Sequence, residues 1–161
     1  MDVRFDVKIG VKMPGIIAVL IATPILAIGL IHFYWAAGGE AGKKMAVPEI
    51  RAAGPGGQHG QWKKAFTPSK PATALVGIAL SLLAAIVIMR AGLLPPIVAP
   101  WVLQWAVSLA SAVMALRAIG DFRLVGFFKR VRGSDFARMD TWLYSPLCVL
   151  LALGLAYVAA S

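Results

Sequence analysis

Four long and almost uncharged apolar runs constrain this chain more than any other feature. They extend over residues 14–35, 72–89, 96–119 and 142–160. At about 1.5 Å per residue, a helix of about 20 residues crosses a hydrocarbon core about 30 Å thick. In lipid, only helices and closed barrels satisfy all backbone polar groups, and runs of this length suit helices. The sequence therefore predicts four transmembrane helices.

The composition and the placement of charge agree with contact to lipid. Hydrophobic residues make up 60% of the 161 residues, and the mean hydropathy is +0.80, whereas soluble domains are about 45–50% apolar. The net charge of +9 comes from segments that lie mostly between the apolar runs, as in membrane spans and their loops. The length suits one domain. We therefore predict an all-α, four-transmembrane-helix bundle that forms a single integral membrane domain over residues 1–161.

Lysine and arginine residues predict the orientation of the bundle. With four spans, the amino-terminal arm, the turn around Arg90 and the carboxy terminus lie on one side, and the two long loops lie on the other. The arm (Arg4, Lys8 and Lys12) and Arg90 hold four of the 16 Lys and Arg residues, and the loops hold the other twelve. Because positively charged loops tend to stay in the cytoplasm, both long loops are predicted to be cytoplasmic.

The segment "LRAIGDFRLVGFFKRVRGSDFARMD", residues 116–140, combines basic and aromatic residues between two spans. After Gly120, four apolar residues have the spacing i, i+3, i+4 and i+7 of one helical face: Leu124, Phe127, Phe128 and Val131. The basic residues fall largely on other faces, which predicts a short interfacial amphipathic helix between spans three and four. A membrane-anchoring loop with no other role is the open alternative. Nucleic acid is not predicted as a partner, because a segment tethered to the bilayer at both ends has little freedom to follow a groove.

Polar side chains at the span ends are the candidates for function, because such groups are costly in lipid. The first and third spans end, and the fourth begins, on the side of the long loops, so these residues should converge at one membrane face. The predicted ligand-binding residues are His32, Tyr34, Trp35, Arg117, Asp121, Arg123 and Tyr144. His32 is the candidate acid–base residue, since histidine titrates near neutral pH.

Arg117 and Asp121 allow two interpretations. They are four residues apart, so they share a helix face and can form an ion pair that seals the helix end. Alternatively, Arg117 holds an anionic group that Asp121 orients, since arginine binds phosphate or carboxylate with two hydrogen bonds. His32 is likewise either an interfacial, hydrogen-bonded histidine or a proton carrier. These alternatives stay open at the level of the sequence.

No cofactor and no metal are predicted. The lone cysteine, Cys148, excludes an internal disulfide and a thiolate metal site. Haem between spans usually needs two intramembrane histidines, whereas His59 lies in the polar loop "GPGGQHGQW". The first long loop, residues 36–71, contains no phosphate-loop pattern and no metal-binding spacing. This loop either docks over the bundle through "AVPEI" and "FTPS" or is a mobile connector.

Several motifs together resemble a known family. "IHFYWAAGG", the "AVP" that follows it, the segment of residues 116–140 and "LYSPLC" are similar to those of a bacterial family of small four-helix membrane proteins, classed as a domain of unknown function. The resemblance covers nearly the whole chain. It implies an integral membrane bundle in a bacterial inner membrane, and it carries no activity, substrate or catalytic residue.

The functional hypothesis is a polar and aromatic site at one membrane face. Such a site would bind or act on an amphipathic or anionic small molecule or lipid, so that membrane lipid and an amphipathic small molecule are the predicted partners. One alternative is a small-solute or proton transporter, for which only Gln104, Ser108, Ser111 and the Pro24 kink suggest a path. The other is an accessory or scaffold subunit of a membrane complex. Enzymatic activity and the oligomeric state are left open.

Overall fold

Four long helices occupy the apolar runs in the computed structural model, which describes residues 13–53 and 59–161. By length and hydropathy, four helical stretches are able to cross a membrane, the fourth running from Asp135 to Ala160. In chain order the elements are α1 (Met13–Ala36), α2 (Lys43–Ala46), β1 (Glu49–Ala53), β2 (His59–Lys64), α3 (Lys70–Arg90), α4 (Pro100–Ile119), α5 (Asp135–Met139), a π-helical turn (Asp140–Tyr144) and α6 (Ser145–Ala160). The predicted all-α class with four transmembrane helices is confirmed, and the two short strands lie in the first long loop.

Capping residues and prolines explain local features of the helices. The Ser69 hydroxyl accepts a hydrogen bond from the Ala72 N–H at 3.3 Å and caps α3. α4 begins at Pro100 rather than at residue 96, since proline is well tolerated in a first helical turn. Inside α1, Pro24 lacks the backbone N–H that an interior helical residue normally donates. The helix nevertheless continues without a break to Ala36.

Small residues allow the helices to approach closely. α1 packs against α3, and α4 packs against α6. Where α1 crosses α3, a β-carbon added to Gly77 would lie 3.0 Å from Phe33 Cε1 and 3.1 Å from the Gly29 carbonyl oxygen. Because lipid provides no hydrophobic drive between helices, such close packing is a main source of their association. The buried core consists of alanine and larger aliphatic residues: Ala18, Ala22, Ile25, Ala84, Val87, Val107, Leu151, Leu155, Val158 and Ala159.

The two long loops meet at one end of the bundle. The Tyr144 hydroxyl donates to the Met45 carbonyl at 3.2 Å, which connects the start of the fourth span to the first loop. At the other end, Arg90 Nη2 donates to the Ala159 carbonyl at 2.8 Å. The predicted convergence of both loops on one face therefore agrees with the structure. The basic residues of the amino-terminal arm, Arg4, Lys8 and Lys12, lie outside the described residues.

The first long loop is folded against this face. β1 and β2 form an antiparallel hairpin in which Arg51 is opposite Trp62, and the Arg51 guanidinium carbon lies 4.8 Å from the Trp62 ring centroid. Val47 and Pro48 of the "AVPEI" segment are buried, and the Pro48 carbonyl accepts a hydrogen bond from the Ala65 N–H at 2.8 Å. Of the two alternatives for this loop, the structure has the docked loop rather than a free connector.

The short amphipathic helix predicted between spans three and four is not formed where the apolar spacing placed it, and α5 is instead the first part of the fourth helical stretch. Residues 120–134 form turns and bends, so the predicted helical face of Leu124, Phe127, Phe128 and Val131 does not exist. The φ angles of Gly120, Phe122 and Gly126 are +94°, +59° and +85°, which a right-handed helix excludes. The local backbone angles, rather than the spacing of the apolar residues, therefore set the conformation of this segment.

Replacing Gly77 with leucine is expected to force α1 and α3 apart, because the new side chain would meet the Gly29 backbone and the Phe33 ring. The expected loss of stability is about 1–3 kcal/mol, as for overpacked cores. Ala79→Leu is the matched control, since Ala79 lies on an exposed face of the same helix. Reversible unfolding in mixed micelles measures both variants, and equal stabilities for the two would contradict the close crossing.

Candidate functional site

A buried carboxylate lies where the two long loops meet. Asp140, in the π-helical turn, is fully buried. Its Oδ1 accepts a hydrogen bond from Arg117 Nη2 at 2.7 Å, and its Oδ2 accepts bonds from Lys129 Nζ at 3.0 Å and the Gly126 N–H at 2.8 Å. We call these residues, together with Thr141, the Asp140 cluster. It joins α4, the second long loop and the fourth span through one side chain.

Lys129 uses all its hydrogen-bonding capacity inside this cluster. The residue is only 3% exposed, and its ammonium donates to Asp140 Oδ2, to the Gly126 carbonyl at 3.0 Å and to Thr141 Oγ1 at 2.6 Å. An ammonium has three donors, so each has an acceptor. The Thr141 hydroxyl in turn donates to the Ala137 carbonyl at 3.0 Å. Lys129 therefore stabilises the loop and is not available to a ligand.

Two glycines allow the loop to reach Asp140. A β-carbon on Gly126 would clash with the Ile119 carbonyl and with the Gly120 backbone, so the two backbones lie directly against each other. Both glycines also have positive φ angles, which other residues adopt only with strain. This close approach places the Gly126 N–H toward Asp140. The sequence "IGDFRLVGF" therefore folds into a closed loop rather than a helix.

Of the two interpretations of Arg117 and Asp121, the ion pair between them is not formed, because Asp121 is engaged locally. Its Oδ1 accepts the backbone N–H groups of Arg123, Leu124 and Val125 at 2.9, 2.7 and 3.0 Å. Such side-chain bonds compete with helical hydrogen bonding. Burial by itself would raise the pKa of this carboxyl, but the backbone donors lower it more, so the pKa lies below its usual value. The resulting stabilisation is present at neutral pH and is lost as the pH falls through the lowered pKa.

A cavity of about 410 Å³ lies between α1, α3 and the first long loop. We call it the interfacial cavity. Its polar lining groups are His32, Lys43 and Thr73. The rest of its lining is apolar or aromatic: Trp35, Ala46, Val47, Phe66, Pro68, Ala72 and Val76. The "AVPEI" and "FTPS" segments thus both contribute to one wall.

Hydrogen bonds orient the two α1 residues that line the interfacial cavity. The His32 Nδ1 bonds the Ile28 carbonyl at 2.8 Å, an arrangement that places the proton of a neutral ring on Nδ1 and leaves Nε2 as an acceptor. The His32 and Trp35 rings contact edge to face, with centroids 5.2 Å apart. The Trp35 indole donates to the Ala41 carbonyl at 2.8 Å. Both rings are therefore held in place before any ligand arrives.

Lys43 is the cationic residue of the interfacial cavity. Its ammonium lies 2.8 Å from Glu40 Oε1 in an exposed ion pair, and this hydrogen bond and charge lower the pKa of Glu40. Exposed pairs of this kind contribute little and exchange readily, so Lys43 remains able to meet an anionic group. Within residues 13–53 and 59–161, no cluster of three or more His, Cys, Asp and Glu side chains is arranged to hold a metal ion.

The predicted site residues divide into separate groups. His32 and Trp35 line the interfacial cavity, whereas Tyr34 is half exposed and packs on Gly39 of its own loop. Arg117 belongs to the Asp140 cluster. Tyr144 links the fourth span to α2, and its ring centroid lies 6.1 Å from that of Phe136. Asp121 and Arg123 lie on the exposed second loop.

Sequence reasoning missed Lys129 and Asp140 as site residues. A lone arginine at the end of an apolar run requires a counterion, and the chain offered Asp121 nearby and Asp140 in the following span. Helical spacing favoured the near residue. In the folded loop, the Asp121 carboxylate accepts hydrogen bonds from backbone N–H groups. Arg117 therefore pairs with Asp140 instead.

The fold defines a small integral membrane protein with four transmembrane helices whose two long loops pack over one end. This chain belongs to the family DUF3995, described as a protein of unknown function, whose model matches residues 25–155. The resemblance to a family of unknown function is thereby confirmed. No curated protein and no solved structure matches the chain. The matched residues include the second half of α1 and the whole Asp140 cluster.

Removing the charge of Asp140 is expected to destabilise the protein strongly. Asp140→Asn leaves Lys129 and Arg117 without their counterion, and breaking a buried pair costs about 3–5 kcal/mol. Asp135→Asn is the matched control, because Asp135 is exposed, and it should cost less than about 1 kcal/mol. Adding Lys129→Met to Asp140→Asn should restore part of the loss. Equal unfolding free energies for Asp140→Asn and Asp135→Asn would contradict a stabilising role of the cluster.

Proposed function

We propose that this protein binds an amphipathic molecule, with an apolar body and a small anionic or hydrogen-bond-accepting head, in the interfacial cavity. The observation that carries the proposal is the composition of this one cavity. Two transmembrane helices, α1 and α3, contribute apolar side chains to its walls, and His32 and Lys43 contribute polar groups. Small-molecule sites are usually concave and mostly apolar, with a few polar groups that fix the orientation of the ligand.

The size and surroundings of the interfacial cavity support a ligand that reaches it from the membrane. A volume of about 410 Å³ lies within the range of small-molecule sites, about 300–1,000 Å³. Ala72 and Val76, on its α3 wall, are also exposed on the outer surface of the bundle, which in a membrane span faces lipid. An acyl or similar apolar chain can therefore lie along α3 while its head contacts Lys43 and His32.

The Asp140 cluster supports this proposal indirectly. Arg117 donates to Asp140 through Nη2 and does not line the interfacial cavity, so we assign it a positioning role instead of direct contact with the ligand. Tyr144 follows Asp140 in the same helix and holds the Met45 carbonyl. Met45 belongs to α2, which supplies Lys43 and Ala46 to the cavity. Asp121 and Arg123 shape the second loop and are assigned no contact with the ligand.

The arrangement of polar residues supports a transporter less than it supports a binding protein. Gln104 lies on an exposed face of α4, and the Ser111 hydroxyl donates to the Ala152 carbonyl at 2.8 Å, which joins α4 to α6. Ser111 is therefore engaged in helix packing. In the part of the chain that the structure describes, no geometric feature favours a scaffold role over binding.

Binding in the interfacial cavity is tested with a photoactivatable fatty acid that carries a diazirine on its chain. The purified protein should be labelled on peptides that contain Trp35 or Val76, and excess unlabelled fatty acid should compete. Ala72→Phe fills the cavity and should abolish the competed labelling. Leu75→Phe is the matched control, since Leu75 is 66% exposed on the same helix and does not line the cavity. Labelling that is spread over all exposed helices, or that survives Ala72→Phe, would overturn the proposal.

We also propose that the protein lies in a bacterial inner membrane with both long loops in the cytoplasm, on the basis of the excess of Lys and Arg in those loops. Alkaline phosphatase, which is active only outside the cytoplasm, should be inactive when fused after Lys64 and active when fused after Leu94. Green fluorescent protein at the same positions is the control and should give the reverse pattern. Active phosphatase after Lys64 would reverse the proposed orientation.

A further inference from the structure

A second cavity, of about 240 Å³, lies on the second long loop away from the interfacial cavity. It is bordered by the side chains of Arg132 and Arg138, by the rings of Phe127 and Trp142, and by Thr141. We call it the arginine cleft. It shares no lining residue with the interfacial cavity. The arginine cleft is therefore a separate feature of the surface.

The two arginines that border the arginine cleft form no ion pair with any described residue. Arg132 and Arg138 are both exposed. Behind the wall, the Lys129 ammonium lies 2.6 Å from the Thr141 hydroxyl. The single carboxylate of Asp140 faces two cations, Lys129 and Arg117, so the buried cluster adds a net positive charge. An anion in the arginine cleft would therefore be attracted both by the two arginines and by the buried Asp140 cluster behind the wall.

The aromatic residues favour a position of the arginine cleft at the membrane surface. Trp142 is 84% exposed and lies at the start of the fourth span, which is the usual position of a tryptophan in the interfacial belt. Phe127, on the other wall, is 41% exposed, and the neighbouring Phe128 is 63% exposed. In that position, Arg132 and Arg138 would lie at the level of the bilayer phosphates. The exposed rings would insert among the acyl chains of the same lipids.

We propose that the arginine cleft binds the phosphate head of an anionic phospholipid. Arginine suits this ligand, because its planar fork donates two hydrogen bonds to phosphate and retains its charge. The position of Trp142 and Phe127 favours a lipid over a soluble anion, since these rings supply apolar contact next to the charge. The site anchors the second long loop to the membrane surface, separately from any ligand of the interfacial cavity.

Native mass spectrometry of the detergent-purified protein tests this proposal with added phosphatidylglycerol, and with zwitterionic phosphatidylcholine for comparison. The wild type should retain phosphatidylglycerol in preference. Arg132→Gln/Arg138→Gln should weaken this binding roughly tenfold or more, given the attraction of each basic residue to anionic lipid. Lys64→Gln/Arg130→Gln is the matched control: it removes the same charge from exposed residues of the same face and should change binding less than about twofold.

Three results would overturn the proposal. They are equal retention of both lipids by the wild type, unchanged binding of phosphatidylglycerol by Arg132→Gln/Arg138→Gln, and an equal loss in the control, which would indicate diffuse surface charge. Because both arginines are exposed and unpaired among the described residues, the variants should remain folded. Arg132→Gln and Arg138→Gln alone each provide the same comparison, with a loss of roughly threefold expected.

Discussion

The buried carboxylate of Asp140 is the interaction on which the loop face depends. A carboxylate that is removed from water must be compensated by charge and hydrogen bonds, and here Arg117, Lys129 and the Gly126 N–H provide them. Arg117 belongs to α4, whereas Lys129 and Gly126 both belong to the second long loop. Satisfying one side chain therefore holds α4, the second long loop and the fourth span in a single arrangement. Tyr144, one turn further along, extends this arrangement to the first loop.

The two cavities lie on different parts of the framework that Asp140 organises. The interfacial cavity is formed by the α1–α3 pair and the first loop, whereas the arginine cleft is formed by the second loop and the start of the fourth span. Their chemistry also differs, because one is mostly apolar with a single lysine and the other combines two arginines with aromatic rings. The two proposals therefore assign contact with a specific molecule and contact with the membrane surface to separate cavities.

The sequence predicted the elements that follow from the length and composition of one segment, and failed where specific side-chain and backbone contacts set the conformation. An apolar run of about 20 residues becomes a transmembrane helix whatever its neighbours are, because its backbone must hydrogen-bond internally in lipid. The spacing of Leu124, Phe127, Phe128 and Val131 was also local, yet it was misleading. The Asp121 carboxylate binds three backbone N–H groups, and Gly120 and Gly126 pack against each other. Neither effect appears in the period of the apolar residues.

The sequence by itself determined that four helices are long and apolar enough to cross a membrane, and that polar residues collect at the ends that carry the long loops. These properties depend on composition and length, which act on each helix separately. The tertiary structure alone decided that Arg117 pairs with Asp140 rather than Asp121, that Lys129 is buried, and that His32 and Arg138 belong to different cavities. The physical reason is that the partner of a buried charge is chosen by the folded loop around it. That choice requires contacts between residues far apart in the chain.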